Sequence, residues 1–411
     1  MNKAKRIIAC ILVVAMASVS LAGCTTFNNF KKAFLNKNPE NDAQIRIGVY
    51  EPMTGTDKEA GEAEIKGIEL AHKLYPYAGD ERVELIYADN KSDIDAAETA
   101  MEDLMKKTPT AVLGSYGNIY SLIAGKHIKE AKIPAIAITN TNPLVTKNNP
   151  YYLRVSLVDT YQATAMARYV IENLKQTQAG ILLPANDDQA LAVASSFENY
   201  MVSKAGGNAV AVYKEYEAGS GDFEKQLEAV RASGVKSVYL CGDKEDVVSI
   251  LKQAEEMNLT GVTFLGDSTW AEKEFIKAAS KYVNGNVAFT TLYTDTTHVT
   301  KMSEEFLKAY KEEYGEEPEA AAALGFDAYL LMIHAIGNAG ADSTGEQLRD
   351  AIMAIENFEG ASGIISFDNN GDPEKSVVIN TLNGKNISTL CIIAPAGTPV
   401  PAAPVQAADA K

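Results

Sequence analysis

Short apolar segments alternate with amphipathic segments through most of this 411-residue chain, and this alternation is the feature that most restricts its fold. The short segments have the length and bounding turn residues of buried strands. They lie at 45–50, 83–87, 111–113, 135–138, 180–183, 209–213, 237–241 and 262–265. Between them, apolar residues recur at helical spacing, as at 61–74, 96–107, 120–131, 161–174, 223–232 and 245–257. The alternation predicts an α/β fold with parallel sheets covered by helices on both faces, and the length fits two doubly wound lobes better than one sheet.

The N-terminus has the pattern of an export signal. Three basic residues precede an apolar run at 7–22, which ends in Leu-Ala-Gly-Cys24. Small residues before a cysteine resemble a bacterial lipobox, in which Cys24 carries lipid and becomes the new N-terminus. A plain signal peptide and an uncleaved anchor helix are the alternatives, although the run is short for a membrane span. We therefore expect a signal peptide at 1–23, a tether at 24–44 and a lipid-anchored protein at the outer face of the plasma membrane or in the periplasm.

Composition excludes several kinds of function. The net charge is −16, which argues against a nucleic-acid partner because phosphate binding needs a basic face. Four His and four Cys leave little material for a metal centre, and no cofactor is indicated. Beyond the predicted signal and lipid site only Cys241 and Cys391 remain; export permits a disulfide, but two separate buried thiols are favoured. The Pro/Ala-rich tail at 394–411 is predicted to be disordered.

Small polar residues follow the predicted strands, where doubly wound sheets bind their ligands. Asn118 is predicted to cap a helix that starts at Ile119, and the free N–H groups of that helix favour an anion such as a carboxylate. Hydroxyl groups of Thr139 and Thr141 add donors, and an aspartate of a later loop is the expected partner of an ammonium group. Ordinary turn and capping chemistry is the alternative for each loop. The candidate ligand-binding residues are Asn118, Tyr120, Thr139, Asn140, Thr141, Gln189, Asp243, Asp267, Ser268 and Trp270.

Aromatic residues beside these loops leave two interpretations open. Trp270, the only tryptophan, either forms an apolar wall of the ligand cleft or packs against the start of the next helix. Tyr116 and Tyr120 are either cleft aromatics or residues packed on a helix face.

The order and spacing of the motifs resemble the type I periplasmic solute-binding proteins of the branched-chain amino acid transporter class. The resembling segments cover about 45–385 and include 45–49 with Thr54-Gly55, 87–92, 112–118, 133–143, 219–223 and 367–373. The resemblance implies two lobes joined by three hinge crossovers, with the ligand between them and no catalytic activity. Lobe one would comprise 45–155 plus 291–366, and lobe two 156–290 plus 367–393. The hinge strands would lie near 154–155, 289–290 and 365–366.

The resemblance also implies a function and site roles. Such a protein, expected to be a monomer, closes on an amino acid or similar small solute and delivers it to the membrane permease of an ABC importer. Asn118 falls where the family often has a serine that binds the α-carboxylate, and Thr139 and Thr141 fall on the loop that holds the carboxylate and amino group. Asp267 or Ser268 falls where an acidic residue commonly meets the amino group.

Two positions depart from the family pattern. Gln189 stands where a tyrosine is usual, and Asp243 lies near an aromatic contact of some members. The expected ligand is a branched-chain amino acid or a related small polar solute; these departures are compatible with an amino acid other than leucine, isoleucine or valine, with a short amide or with another small polar solute.

Two other functions are alternatives. A sensory or interaction lipoprotein would use the same ligand-closing fold to signal to a partner. An ester hydrolase of the SGNH type would use Ser268 of a Gly-Asp-Ser triplet and His298 of an Asp-x-x-His motif. The hydrolase is disfavoured because that family separates these two blocks by most of its domain, whereas here they lie close together deep in the chain.

Overall fold

The computed structural model describes residues 44–294 and 300–393. The predicted signal peptide, lipid site Cys24, tether up to residue 43 and Pro/Ala-rich tail lie outside the described residues, as does His298.

The first part of the chain builds one sheet and its covering helices. Its elements are β1 (Gln44–Glu51), α1 (Lys58–Leu74), β2 (Tyr77–Ala78), β3 (Glu81–Asp89), α2 (Ile94–Lys106), β4 (Ala111–Gly114), α3 (Asn118–Ala131), β5 (Ala135–Ala137) and β6 (Tyr152–Arg154). The sheet order is β2-β3-β1-β4-β5-β6, and every pairing is parallel except that of the short edge strand β2. Strand β4 is buried at all four residues, as expected of a strand covered on both faces.

The middle of the chain builds a second sheet in the same way. Its elements are α4 (Asp159–Arg168), β7 (Ala179–Pro184), α5 (Asp188–Ala205), β8 (Val210–Tyr216), α6 (Glu224–Ser233), β9 (Ser237–Leu240), α7 (Lys244–Glu256), β10 (Thr263–Gly266), α8 (Lys273–Ala279) and β11 (Val287–Thr291). A π-helical turn, Tyr169–Asn173, extends α4. The strands from β8 to β11 pair in parallel.

The chain then returns to the first sheet and ends on the second. Three helices and a small antiparallel sheet come first: α9 (Lys301–Tyr314), α10 (Ala320–Ala339), α11 (Gly345–Met353), β12 (Phe358–Gly360), β13 (Gly363–Phe367) and β14 (Pro373–Glu374). The last strands, β15 (Val377–Asn383) and β16 (Asn386–Ile393), add an antiparallel edge to the second sheet. The order of that sheet is β16-β15-β11-β10-β9-β7-β8.

Each sheet has its own hydrophobic core on both faces, so the molecule has two lobes. Helices α9 to α11 pack with the first sheet, and the residues of β15 and β16 pack with the second. We call these units the first and the second lobe. This arrangement confirms the predicted fold class of two doubly wound α/β lobes; the residue limits given above for each lobe stay a prediction.

Helix α10 has the length and apolar composition of a membrane span, but 78% of its 18-residue apolar window is buried inside the protein. It lies along α1, and the two backbones approach closely. A methyl group on Gly67 would come within 1.9 Å of the Ala322 carbonyl oxygen, and one on Gly325 within 2.3 Å of the Glu64 carbonyl oxygen. The burial and this close contact identify α10 as the central helix of the first lobe.

A buried ion pair joins two of the segments that cross between the lobes. Arg154, at the end of β6, is fully buried, and its Nε lies 2.6 Å from Oδ1 of Asp372. Its Nη2 donates to Thr146, and its backbone N–H donates to the Gly371 carbonyl. The first crossover and the loop before β14 are therefore fixed to one another where the chain passes between the lobes.

Candidate functional site

The loops at the carboxyl ends of β4 and β5 form the first-lobe side of the cleft. Helix α3 begins at Asn118 itself, with Gly117 at the cap position and no side-chain cap. The prediction that Asn118 caps a helix from Ile119 is therefore wrong; its Oδ1 accepts from the backbone N–H of Asn142 at 3.3 Å. Because glycine supplies no side-chain acceptor, the first-turn N–H groups of α3 stay available to an anion.

On the loop after β5, two of the three candidate side chains, those of Thr139 and Asn140, contact the interior of the first lobe. The Thr139 hydroxyl donates to Glu64, so its role as a donor to a ligand stays a prediction. Asn140 is buried, and its side-chain Oδ1 accepts from the Ser121 hydroxyl at 3.3 Å. Thr141 is half-buried and contacts Asp159 of the second lobe, so this loop connects the two lobes.

Tyr120 is a core residue of the first lobe. Its ring is buried in the cluster beneath α2 and α3, and its phenol donates to Asp57 at 3.0 Å. Tyr116 is half-buried on the loop before α3. Burial, and then the Glu272 carboxylate of the second lobe, raises the pKa of Tyr116 to about 12. Tyr116 thus lies where the lobes approach one another.

Asp159 is the centre of the second-lobe side, and sequence reasoning missed it. It begins α4; Nε2 of Gln189 donates to its Oδ2 at 2.9 Å, and the Thr141 hydroxyl also bonds it. Burial, followed by the neighbouring Asp267 carboxylate, raises the pKa of Asp159 to about 6. Loops that are distant in sequence are therefore brought together around one carboxylate.

Gln162, one turn further along α4, connects this centre to the loop after β10. Its Oε1 accepts from the Ser268 backbone N–H at 3.2 Å and from the Thr290 hydroxyl. The Asp267 carboxylate accepts from the N–H and hydroxyl of Thr269, and burial raises its pKa. Asp267 and Ser268 are thus held beside Asp159, as their place in the loop predicts.

Two of the candidate ligand-binding residues, Trp270 and Asp243, lie apart from the cluster around Asp159. Trp270 is 2% exposed and stacks on Phe275 with ring centroids 5.1 Å apart, so the packing interpretation describes it better than that of a cleft wall. Asp243 is exposed directly before α7 and makes no side-chain cap. Neither residue contacts the Asp159 cluster through a described hydrogen bond.

The structure also bears on the disulfide and the hydrolase alternatives. Cys241 and Cys391 are both free thiols, which confirms that they are separate, but only Cys241 is buried and Cys391 is half-buried. Three histidines lie within the described residues, and they bond Val83, Glu98 and Asn338 rather than Ser268; they are His72, His127 and His334.

One group of possible metal ligands occurs within residues 44–294 and 300–393, formed by Glu98, Glu102 and His127. It lies on α2 and α3, with Glu102 exposed and His127 already bonded to Glu98. It is separate from the cleft.

Known proteins match this chain over most of its length. The family model "Periplasmic binding protein" matches residues 44–386. The Leu/Ile/Val-binding protein homolog 2 of Brucella abortus (strain 2308) is 24% identical over 338 residues, covering 81% of this chain and 89% of the relative. The leucine-binding protein LivK of Thermotoga maritima MSB8 is 31% identical, with a TM-score of 0.72, covering 85% of this chain and 99% of that structure.

Two further solved structures share the fold. LivJ from Streptococcus pneumoniae, in complex with isoleucine, has a TM-score of 0.69 at 24% identity and covers 85% of this chain and 99% of that one. A solute-binding protein of R. palustris, in complex with benzoate, has a TM-score of 0.67 at 19% identity. The match covers 86% of this chain and 97% of that one. One fold therefore serves ligands of different chemistry.

Proposed function

Because this chain belongs to the periplasmic binding protein family, a family of solute-binding proteins, we propose that it captures an amino acid or a related small solute for an ABC importer. The observation that carries the proposal is that one side of the cleft offers groups that suit an anion and the other side offers groups that suit a cation. The first lobe offers the open N-terminus of α3, which suits a carboxylate. The second offers Asp159 beside Asp267, which suits an ammonium group.

Closure of the hinge is the proposed binding event. Only the closed form lets a ligand contact both lobes, so binding shifts the population toward closure. An ion pair between Lys273 of α8 and Glu319 before α10 crosses the cleft. Their side chains are 78% and 52% exposed, and such exposed pairs contribute about 0–1 kcal/mol. This exposed pair therefore contributes little to the free energy of closure.

The polar second lobe favours a ligand other than a purely aliphatic amino acid. Gln189 presents an amide where the family commonly has an aromatic ring, and that amide bonds Asp159. The names of the relatives above refer to leucine, isoleucine and benzoate as ligands of those proteins. We propose an amino acid whose side chain accepts or donates hydrogen bonds.

A thermal-shift screen of the purified protein against the amino acids tests this function. A ligand that binds only the folded state stabilises it by about 2.7 kcal/mol at one hundred times its Kd. We expect one amino acid or a small group of them to raise the unfolding midpoint, and Asp159→Asn to give a smaller rise at the same ligand concentration. No response to any amino acid would overturn the proposal.

The lipid anchor and the delivery of solute to a permease complete the proposed role. Lipid on Cys24 would keep the binding lobes beside the transporter, and the tether would allow them to reach it. Substitution Cys24→Ser is expected to move the protein from the membrane fraction to the soluble fraction after cell disruption. An unchanged distribution would contradict lipidation at this residue.

A further inference from the structure

Two glutamates lie side by side beneath the first-lobe loops of the cleft. Glu51 is the last residue of β1, and Glu64 lies in the middle of α1. Both are 0% exposed, and their carboxyl groups are within hydrogen-bond contact of one another. Neither was expected from the sequence to contribute to the site.

Each carboxyl group also holds one of the two first-lobe loops. The Tyr116 backbone N–H donates to Oε2 of Glu51 at 2.7 Å. The Thr139 hydroxyl donates to Oε1 of Glu64. The remaining oxygens, Oε1 of Glu51 and Oε2 of Glu64, have no donor among the described residues.

No cation balances the pair within the part of the chain that the structure describes. The titratable groups that face it are the phenols of Tyr50 on β1, Tyr116 and Tyr152 on β6. The Tyr50 phenol donates to the Ala97 carbonyl and that of Tyr152 to the Gly114 carbonyl. The charges beyond them, Glu98 near Tyr50 and Asp57 near Tyr116, are also negative.

The contact between two buried carboxyl groups requires that at least one of them be protonated. Two ionised carboxylates in contact, without water or a cation, repel one another and have lost their hydration. One proton shared between them removes the repulsion and gives both orphaned oxygens a partner. It also completes a continuous chain of hydrogen bonds from Tyr116 through the two glutamates to Thr139.

We propose that Glu51 and Glu64 share one proton and that this protonated pair is a positioning element, which holds the loops 114–118 and 139–142 together for ligand binding. The positioning role rests on the proposed function, whereas the shared proton does not. When the pair loses its proton, the two carboxylates separate, and the two loops are no longer held in a fixed position relative to one another.

The direction of the pH dependence follows from burial. Burial raises the pKa of Glu64 to about 7, and burial together with Glu64 raises that of Glu51 well above its ordinary value. A raised pKa means that the folded state binds more protons than the unfolded state. The stabilisation is therefore fully present below about pH 4.5. Part of it is lost as the pH rises to about 7, where Glu64 ionises, and the part that the remaining shared proton provides is lost above pH 7, because Glu51 keeps its proton longer.

Thermal unfolding of the ligand-free protein between pH 5 and 9 tests the shared proton. Glu64→Gln keeps a donor and an acceptor in the same shape but cannot ionise, and Glu62→Gln changes an exposed glutamate of the same helix. We expect the midpoint of the wild type and of Glu62→Gln to fall as the pH passes 7, relative to that of Glu64→Gln. A Glu64→Gln profile parallel to the wild type would overturn the proposal. If that variant does not fold, Glu51→Gln, which likewise replaces one of the two carboxyl groups by an amide that cannot ionise, is compared by the same criterion.

Amide hydrogen exchange tests the positioning role without any ligand. We expect the peptides that contain Tyr116 and Thr139 to lose protection at least threefold between pH 6.5 and 8.5, after correction for the intrinsic exchange rate. In Glu64→Gln the protection should not change with pH. Equal protection at both pH values in the wild type, or an equal loss in the variant, would overturn the role. Failure of the solute-binding proposal appears separately, as a lack of response to every amino acid.

Discussion

Asp159 illustrates what residue-level sequence reasoning finds and misses. Asp267, Ser268 and Thr141 were predicted because they follow strands of a parallel sheet, and the structure brings their loops together around Asp159. Asp159 precedes a helix, where an acidic residue is ordinary dipole and capping chemistry. Nothing in the one-dimensional pattern shows that burial would set it in the cleft.

Glu51 and Glu64 were missed for a related reason. Glu64 stands in a run with Glu59 and Glu62 that has the composition of a solvated helix face. A usable signal was Glu51, a carboxylate that directly follows the uncharged run 47–50 of the first strand, since such a run is typical of a strand covered on both faces.

Substitution Asp159→Asn tests the ammonium site. A hydrogen bond to a charged group contributes about 1.5–3 kcal/mol, so we expect the affinity for the amino-acid ligand to fall about 10- to 100-fold. Because burial raises the pKa of Asp159 to about 6, wild-type affinity should fall as the pH drops below 6, and the variant should lack this fall. Calorimetric titration at pH 5 and 7 measures both effects.

The neighbouring variant Asp188→Asn provides the control. Asp188 is exposed in the first turn of α5, one residue before Gln189. It should bind the ligand like the wild type at both pH values. An equal loss in the two variants would mean that general cleft charge, rather than Asp159, binds the ligand.

Substitution Trp270→Phe separates the packing role of Trp270 from a ligand contact. The indole packs between Phe275 and Phe289 in the second-lobe core, and a smaller ring leaves unfilled space there. We expect a loss of about 1–3 kcal/mol in unfolding free energy and an affinity within threefold of the wild type. Denaturant unfolding and calorimetry would show this; a large loss of affinity with unchanged stability would instead place the ring in the cleft.

At the level of elements, sequence periodicity predicted eight of the ten parallel strands in the part of the chain that the structure describes. It missed the parallel strands β6 and β11 and the antiparallel edges. Six of the seven residues of β15 are buried, so its side-chain pattern is that of any covered strand. Whether such a strand runs parallel or antiparallel depends on the path of the connection before it, which here passes through the first lobe. Periodicity within one segment cannot contain that information.

Substitution Gly67→Ala tests the close contact of α1 and α10. Helix propensity alone would favour alanine by about 1 kcal/mol, but a Cβ at this position would meet the Ala322 carbonyl at 1.9 Å. We expect a net destabilisation of about 1–3 kcal/mol, the usual cost of overpacking. Unfolding in urea measures it.

Gly207→Ala is the matched control, because a Cβ there has no neighbour within 4 Å. Its free energy of unfolding should stay within about 0.5 kcal/mol of the wild type. A stable Gly67→Ala protein would show that the two helices are further apart than described.

For the whole molecule, the proposed hinge contains the ion pair between buried Arg154 and half-buried Asp372. Removing one member of a fully buried pair costs about 3–5 kcal/mol, but the Asp372 side chain is 20% exposed, so its remaining charge keeps part of its hydration. We expect Arg154→Met to lose less stability than this. The double variant with Asp372→Asn should recover part of the loss, as thermal unfolding would show. No recovery would mean that the arginine acts through its bonds to Thr146 and Asn140 instead.

The central claim is that the lobes close on a solute bound between them. Small-angle X-ray scattering tests it most directly, with and without a saturating concentration of the amino acid found by the thermal screen. The account predicts a smaller radius of gyration with the ligand in the wild type. In Asp159→Asn, whose Kd is expected to be about 10- to 100-fold higher, the same decrease should require a correspondingly higher ligand concentration. Calorimetrically confirmed binding with an unchanged radius of gyration would contradict it.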